Sequence, residues 1–354
     1  MRYFSIGPVQ MSKRIIEAGG QQAAYFRDQD FADKVVAAQN DLLQIVGAES
    51  DAKIAIMSGS GSAAMEAAVI NFTGRGDPVL VINGGSFGQR FVDIANHYGR
   101  NVEDHKLPLG RDIDLDRLEA SLQEHKPVAV FMNIHETSTG QLYDVRSVAK
   151  LCQRYQALLV CDAVSTLASD PLNMAEIGID VLLFSANKGL ALAPGAAFLI
   201  AGKTALSHLE CSESYYLDLA PYFAGSERGQ PPVTSSVGVL QQLFERLEEI
   251  KDAGGISQVI SKVEAKAFAF RKDLSDLGIT CFPETPSNAI TAFVLEHGSS
   301  NQLYDFLKNE HGLIINKSAW GMNADVPRIA HVGDLSLKDH KDLIDAIKDF
   351  LECT

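Results

Sequence analysis

The segment Asp180-Val-Leu-Leu-Phe-Ser-Ala-Asn-Lys188-Gly-Leu-Ala-Leu-Ala-Pro-Gly195 decides how the rest of this 354-residue chain is interpreted. An apolar run of strand length ends at Ser185, and a single lysine, Lys188, follows among small and apolar residues. A loop lysine usually extends its ammonium group into water. Here the flanking residues favour burial, and a buried ammonium group loses its proton more easily because its charged form is poorly solvated. The segment therefore predicts a neutral amine at the end of a buried strand, the nucleophile that aldehyde chemistry requires.

The size, composition and charge of the chain are those of a globular protein that does not bind nucleic acid. A length of 354 residues exceeds one average domain, and 46% of the residues are hydrophobic, so one large and one small domain are expected. The formal net charge of −14 argues against nucleic acid and anionic membranes as partners, because both require a basic surface. A small anionic substrate is compatible with this charge, since it responds to the local field.

Cysteine usage and the N-terminal sequence bear on the compartment. The five cysteines are odd in number and form no Cys-x-x-Cys pair, which indicates reduced thiols rather than a disulfide framework. The N-terminus does not resemble a secretory signal, and no apolar run reaches the roughly 18 residues of a membrane span. We therefore expect a cytoplasmic protein with no membrane partner and no metal site.

Short apolar runs alternate with amphipathic stretches through the first two thirds of the chain. Because the runs are apolar throughout, they are typical of parallel strands that helices cover on both faces. The predicted strands are Lys53–Met57, Val79–Ile82, Val128–Asn133, Ala157–Cys161, Val181–Ser185 and Ala197–Ile200. The predicted helices between them are 62–73, 87–98, 114–125 and 142–156. The pattern predicts an α/β fold with a mostly parallel central sheet.

The pattern changes near residue 240, where long helical stretches replace the alternation. Helices are predicted at 237–253, 256–277, 300–311 and 336–352, with a strand at 291–295. We expect a large domain at 19–240 that carries the functional site and a smaller α+β domain at 241–354. Residues 1–18 are expected to form an arm that packs with the small domain.

The first predicted strand ends in Met57-Ser-Gly-Ser-Gly-Ser62, which opens a helix. Small residues at a helix N-terminus expose backbone N–H groups, and the helix dipole favours an anion such as phosphate. The spacing Gly59-x-Gly61-x-x-Ala64 also matches the dinucleotide fingerprint, which requires an acidic residue at the end of the next strand. That strand ends in Asn83, so a phosphate site is favoured over a dinucleotide site, with a plain tight turn as the alternative.

Asp162 ends the predicted strand that precedes the lysine strand. An isolated aspartate there would be expected to cap a turn. Since the carboxyl ends of parallel strands share one edge of the sheet, Asp162 and Lys188 are expected to meet. A carboxylate that faces a pyridine nitrogen keeps it protonated and makes the ring an electron sink. A phosphate turn, an aspartate and a lysine together are the contacts that pyridoxal 5′-phosphate (PLP) requires.

Two further strand ends supply candidates for the same cofactor. Phe87 stands among small residues after the second predicted strand and is able to stack on a flat ring, although it is also compatible with a core position. The turn His135-Glu-Thr137-Ser-Thr-Gly140 offers hydroxyl groups for the phenolic oxygen of the ring. A polar turn without a ligand is the alternative for this stretch.

The motifs named so far are joined by others along nearly the whole chain. They are Gly7-Pro8, Arg27-x-x-Asp30-Phe31, Ser58–Glu66, Gly88-Gln-Arg90, Glu136–Gly140, Asp162–Ser165, Asn187-Lys188, Pro232-Val-Thr234 and Arg328–Gly333. As an ensemble they resemble the class V aminotransferases of PLP fold type I, which include alanine–glyoxylate, serine–pyruvate and 2-aminoethylphosphonate–pyruvate aminotransferases. The resemblance implies transfer of an amino group from a small amino acid or aminophosphonate to a 2-oxo acid such as pyruvate or glyoxylate. It does not specify the donor or the acceptor.

The resemblance also implies a role for each matched residue. Lys188 would bind PLP as a Schiff base, Asp162 would pair with the pyridine nitrogen, and Phe87 would stack on the ring. The other implied cofactor contacts are Ser60, Gly61, Ser62, Thr137, Ser185 and Thr234.

Three of the implied roles concern the substrate and a partner subunit. Thr234 would reach the phosphate of the neighbouring subunit, which implies a homodimer with shared active sites. Arg328 would bind the substrate carboxylate with its planar fork, and Gly7 would border the substrate. The sequence departs from the family pattern at Gln230–Ser235 and at Trp320–Pro327, so the register of the threonine and the side-chain preference are the least determined features.

Other chemistry on the same framework remains open. A cysteine desulfurase or lyase of class V would typically place a histidine over the ring and another before the lysine, where this chain has Phe87 and Asn187. A protein that only binds PLP or a dinucleotide is the remaining alternative.

Overall fold

A computed structural model describes residues 1–209, 212–295, 298–319 and 325–353. Its strands are β1 (Arg2–Tyr3), β2 (Lys53–Gly59), β3 (Pro78–Asn83), β4 (Asn101–Lys106), β5 (Ala129–Asn133), β6 (His135–Glu136), β7 (Gln141–Leu142), β8 (Leu158–Asp162), β9 (Val181–Ser185), β10 (Gly195–Ala201), β11 (Ile290–Ala292), β12 (Leu313–Ile314) and β13 (Arg328–Ala330). Its helices are α1 (Lys13–Gly19), α2 (Gln29–Ile45), α3 (Gly61–Phe72), α4 (Ser86–His97), α5 (Leu115–His125), α6 (Val145–Tyr155), α7 (Met174–Ile177), α8 (Lys203–Ser207), α9 (Leu219–Ser226), α10 (Val237–Asp252), α11 (Ile256–Asp276), α12 (Ser300–His311) and α13 (Leu337–Cys353).

The centre of the molecule is a sheet of seven strands in the order β2-β10-β9-β8-β5-β3-β4. The pairs β9–β8, β8–β5, β5–β3 and β3–β4 are parallel, and β10 runs antiparallel to both of its neighbours. Every residue of β5, β8 and β9 is buried, as the continuous apolar runs predicted. The predicted α/β fold with a mostly parallel sheet is therefore confirmed.

The strand β4 was missed by the sequence pattern. Its sequence, Asn-Val-Glu-Asp-His-Lys, is polar, and only His105 among its residues is buried. β4 pairs with β3 alone and forms the edge of the sheet. An edge strand is partly exposed to solvent, so it does not need a continuous apolar run. An edge strand of this kind resembles a loop in composition.

The helices α3 and α4, which begin at the carboxyl edge of the sheet, differ from most of the other helices in how they are capped. Asp28, Asp114 and Asp144 precede α2, α5 and α6, and each carboxylate accepts a hydrogen bond from a backbone N–H group of the first turn. Ser60 and Gly85 precede α3 and α4, and neither makes a side-chain cap bond. These two helix starts follow β2 and β3, at the edge where ligands bind in sheets of this kind.

A separate hydrophobic cluster lies away from the sheet. Phe4 packs there with residues of α11, α12 and α13, including Phe270, Leu303 and Phe350. β1 pairs in parallel with β12, so that Arg2 lies opposite Leu313. The N-terminal segment is therefore bound to the C-terminal part of the chain. No helix among the described ranges is long and apolar enough to cross a membrane.

Candidate active site

Lys188 follows β9 and is buried, with 9% of its surface exposed. Its carbonyl accepts a hydrogen bond from Ala191 N at 2.8 Å, which closes the turn after the lysine. Its amine has no hydrogen-bond partner within the described part of the chain. Burial lowers the pKa of the amine to about 8, against an opposing effect of the negative charge on Asp162. Lys188 therefore loses its proton at a lower pH than an ordinary lysine does.

Asp162 ends β8, the strand adjacent to β9, and lies in register with Leu183. One carboxylate oxygen accepts a hydrogen bond from Val164 N at 2.6 Å, and the other accepts one from Asn133 Nδ2 at 2.8 Å. Burial raises the pKa of Asp162 to about 6, while these hydrogen bonds and the charge of Lys188 act in the opposite direction. The acid is ionised near neutral pH and is held in one orientation.

Phe87 lies at the start of α4 beside the lysine. Its ring centroid is 4.9 Å from Lys188 Nζ and 4.8 Å from the guanidinium carbon of Arg90. Arg90 also donates a hydrogen bond to Ser62 Oγ at 2.9 Å, which links Phe87 to the first turn of α3. The aromatic face is thus available beside the amine rather than enclosed in the core.

The turn before α3 has the form of an anion site. Ser60 is extended and leaves the first turn without a side-chain cap, and α3 begins at Gly61. A β-carbon on Gly61 would stand 2.9 Å from Val164 Cγ2, so the close packing of this turn on the segment after Asp162 requires glycine. Ser185 lies nearby, and its hydroxyl donates to Asn187 Oδ1 at 3.0 Å.

Thr137 is buried and is hydrogen-bonded to Ser165 and Arg328. Its hydroxyl forms a hydrogen bond of 2.7 Å with Ser165 Oγ, and its carbonyl accepts one of 3.1 Å from Arg328. Thr137 therefore connects the segment after Asp162 to the predicted substrate arginine.

Arg328 begins β13 and is largely buried. Besides the bond to Thr137, it donates to the carbonyl of Lys317 at 2.9 Å, while its Nε is buried without a partner in the described ranges. No carboxylate of the described residues lies within ion-pairing distance, and burial lowers its pKa to about 10. Arg328 and Phe87 line one cleft of about 1020 Å³. The arginine thus faces a ligand-sized space with unused donor capacity.

Gly7 approaches the site from the N-terminal segment. A β-carbon on Gly7 would stand 3.2 Å from Asn187 Nδ2, and its φ of +139° is unfavourable for other residues.

Thr234, in contrast, is exposed and makes no recorded contact with Lys188, Asp162 or Phe87 within the described chain. Its carbonyl accepts a hydrogen bond from Ser58 at 3.4 Å. Most of the divergent segment before Arg328, residues 320–324, lies outside the described residues.

Glu136 has a role that its sequence motif did not indicate. This carboxylate is buried and accepts hydrogen bonds from Phe87 N at 3.2 Å, Gly88 N at 3.0 Å and Ser138 N at 3.0 Å. It therefore caps α4 from strand β6 and fixes the turn that carries Phe87. The absence of a capping residue before α4 was the signal in the sequence.

Asn133 and His135 were also missed. Asn133 orients Asp162, and its Oδ1 has no partner in the described chain. Both ring nitrogens of His135 are likewise buried without a partner there, and burial together with the charge of Lys188 lowers its pKa to about 3. His135 is therefore a neutral ring, and its two nitrogens have unused hydrogen-bonding capacity.

These residues fit one cofactor. The amine of Lys188 suits an aldehyde, Asp162 suits a ring nitrogen, Phe87 suits a flat ring, and the uncapped start of α3 suits a phosphate. The fold and the site together define a PLP-dependent enzyme of fold type I.

The family follows from a direct comparison. A family model described as aminotransferase class-V matches residues 13–332, which is most of the chain. The chain belongs to the class V aminotransferases and is a PLP-dependent aminotransferase.

Similar proteins extend over nearly the whole chain. It is 29% identical to an alanine–glyoxylate aminotransferase of Callithrix jacchus, over 98% of this chain and 86% of the relative. It is 27% identical to a 2-aminoethylphosphonate–pyruvate transaminase of Vibrio vulnificus strain YJ016, over 97% of this chain and 95% of the relative. The crystal structure of an alanine–glyoxylate aminotransferase from Nostoc sp. matches with a TM-score of 0.93 at 26% identity, over 99% of this chain and 94% of that chain.

Proposed function

We propose that this aminotransferase moves an amino group from a small amino acid or aminophosphonate to a 2-oxo acid such as pyruvate or glyoxylate. The observation that carries the proposal is the partly buried guanidinium of Arg328, which has no carboxylate of the described residues within ion-pairing distance and lines the same cleft as Phe87. A planar fork with unused donors suits a substrate carboxylate. Two of the similar proteins have names that include glyoxylate or pyruvate, which supports an acceptor of this size.

Lys188 and Asp162 are the proposed catalytic residues. When bound, PLP supplies an electron sink for the charge that develops at the substrate carbon. The lowered pKa of Lys188 supports a role in which its amine takes the proton from that carbon and later returns it. The carboxylate of Asp162, held by Asn133 and Val164, would keep the ring nitrogen protonated.

The remaining proposed contacts divide between cofactor and substrate. The phosphate would be held by Ser60, Gly61 and Ser62 at the start of α3. The ring would be bordered by Phe87, Thr137 and Ser185. The substrate carboxylate would bind Arg328, with Gly7 beside it.

We also propose a homodimer in the cytoplasm. The side chain of Thr234 is exposed, which leaves it accessible for a contact to the phosphate in the partner's site. The large domain would comprise residues 19–240 and the small domain residues 241–354. The pairing of β1 with β12 supports an arm, residues 1–18, that packs with the small domain.

Desulfurase chemistry is a weaker candidate because it needs a reactive thiol. Cys281 is partly buried and pairs with Phe293 in a β-bridge, and burial raises its pKa. A thiol of this kind is a poor nucleophile near neutral pH.

A panel of amino donors tests the proposal. The holoenzyme would be mixed with alanine, serine, aspartate or 2-aminoethylphosphonate, and the loss of cofactor absorbance would be followed in single turnovers. Pyruvate, glyoxylate and 2-oxoglutarate would then be tested for its recovery. The proposal expects at least one small donor to bleach the cofactor and pyruvate or glyoxylate to restore it. Release of alanine from cysteine without bleaching by any donor would contradict it.

A further inference from the structure

A second cavity, of about 420 Å³, shares no lining residue with the cleft of Phe87 and Arg328. It lies among α1, α10, α11 and the segment that follows β13. Gly189 and Ala191, which follow Lys188 in the chain, form part of its wall, and so does Ala168 from the turn after Asp162. A ligand in this cavity would therefore contact the turns that carry both proposed catalytic residues.

These two turns are tightly fixed where they meet the cavity. Ala168 and Ala191 have positive φ angles of 62° and 55°, a left-handed conformation that is unfavourable for alanine. A β-carbon on Gly189 would collide with the carbonyl of Leu167, so the turns pack in direct backbone contact. The wall of the cavity is consequently preformed.

Lys266 brings a buried positive charge to this cavity. Only 7% of its surface is exposed. Its amine donates to the carbonyls of Leu335 at 3.1 Å and Gly333 at 3.4 Å, and both residues also line the cavity. The third N–H group has no partner in the described ranges, and no carboxylate there lies within ion-pairing distance. Burial lowers the pKa of the amine to about 8, a shift that a bound anion would reverse.

Arg246 adds a second cation with unused capacity. It donates to Glu249 at 3.0 Å, while its Nε is buried without a partner among the described residues. Glu249 also accepts a hydrogen bond of 2.6 Å from the hydroxyl of Ser12. The lining thus carries two largely buried cations, and Glu249, the one acid among its less exposed residues, is already paired with Arg246. The remaining charges on the lining, Lys262 and Asp334, are exposed and opposite in sign.

The rest of the lining is mainly aliphatic. The aliphatic residues with branched side chains are Ile15, Val259, Val263, Val332, Leu335 and Leu337. An occupant must therefore carry one negative charge and an apolar body of a few carbons. We propose that this cavity binds a small monocarboxylate whose charged group contacts Lys266 and Arg246.

The test uses 3-methylbutanoate as the probe, titrated calorimetrically into the Arg328→Met holoenzyme. This background removes the proposed carboxylate contact of the active site, so binding that persists is independent of the proposed function. Binding is expected to persist there and to weaken at least tenfold with the neutral isostere 3-methylbutanamide. Failure of the Arg328→Met protein to bind 3-methylbutanoate would overturn the proposal and leave the aminotransferase assignment intact.

Added substitutions in the same background locate the site. Lys266→Met removes the buried cation, and Val259→Phe fills the cavity while both cations remain; each is expected to weaken binding at least tenfold. Val259→Phe keeps the test decisive if Lys266→Met does not fold. Lys262→Met is the matched control, because it removes an exposed lysine at the rim, and less than a threefold change is expected. Unchanged binding in Val259→Phe, or an equal loss in Lys262→Met, would contradict the proposal.

Discussion

Gly7 lies directly against the side chain of Lys188: a β-carbon on Gly7 would stand 3.4 Å from Lys188 Cε and 3.5 Å from Lys188 Cγ. The N-terminal segment therefore forms one side of the space in which the lysine moves. Only glycine combines this close approach with the observed φ of +139°.

The Gly7→Ala substitution is expected to lower kcat about tenfold, because the added carbon restricts the lysine side chain, and to reduce stability by about 1 kcal/mol. Steady-state kinetics and urea unfolding measure the two effects. Gly76→Ala is the matched control, since Gly76 has a φ of +86° with nothing within 4 Å of an added carbon. It should lose similar stability and keep its kcat. A Gly7→Ala enzyme with wild-type kcat would contradict the proposed role.

Removal of the lysine amine is the direct test of the proposed chemistry. Lys188→Ala should lower turnover by at least about 10²–10⁴-fold, because the proton-transfer group is lost. Circular dichroism should show an unchanged fold. Lys203→Ala removes an exposed lysine in the first turn of α8 and should leave turnover unchanged. Near-wild-type activity in Lys188→Ala would exclude the assignment.

Arg328→Lys keeps the positive charge but loses the planar fork. We expect kcat/KM for a carboxylate-bearing donor to fall about tenfold to a hundredfold, which corresponds to about 1.5–3 kcal/mol for a hydrogen bond to a charged group. The matched control is Arg146→Lys, which changes an exposed pair with Glu176 and should leave kcat/KM unchanged. An equal effect of both substitutions would argue against a substrate contact.

Two buried histidines make stability depend on pH. The rings of His331 and His340 lie 5.0 Å apart, and burial lowers the pKa of His340 to about 4 and that of His331 well below its usual value. In the unfolded chain these two histidines bind protons near pH 6.5, whereas in the folded chain they do not. The free energy of unfolding therefore decreases as the pH falls from about 6.5 towards 4. His340 alone should contribute about 1 kcal/mol between pH 7.5 and 5.5.

Urea unfolding at pH 7.5 and pH 5.5 measures this loss. His340→Gln should reduce the difference in unfolding free energy between the two pH values, because one of the buried rings with a lowered pKa is removed. His208→Gln, at an exposed position, should not change it. Equal pH dependence in the wild type and in His340→Gln would show that His340 does not control this loss.

The sequence predicted those features that depend on local pattern. Strand β9 and the burial of Lys188 follow from an apolar run and small flanking residues, and Asp162 follows from the rule for strand ends. The edge strand β4 has no such pattern, since only one of its residues is buried. The role of Glu136 depends on strand β6, which meets α4 from a separate part of the chain. Such a contact between separate segments leaves only an indirect signal, the missing cap before α4.

The antiparallel strand β10 has a consequence for how the enzyme must move. Since β10 returns at once beside β9, the segment that holds Lys188 is anchored at both ends: Ala186 N donates to Ala196 O at 3.0 Å, and Leu192 N donates to Ala186 O at 3.0 Å. The backbone around Lys188 is therefore held in place. Any opening for substrate entry and product departure has to come from the surrounding walls, which carry Phe87, Gly7 and Arg328.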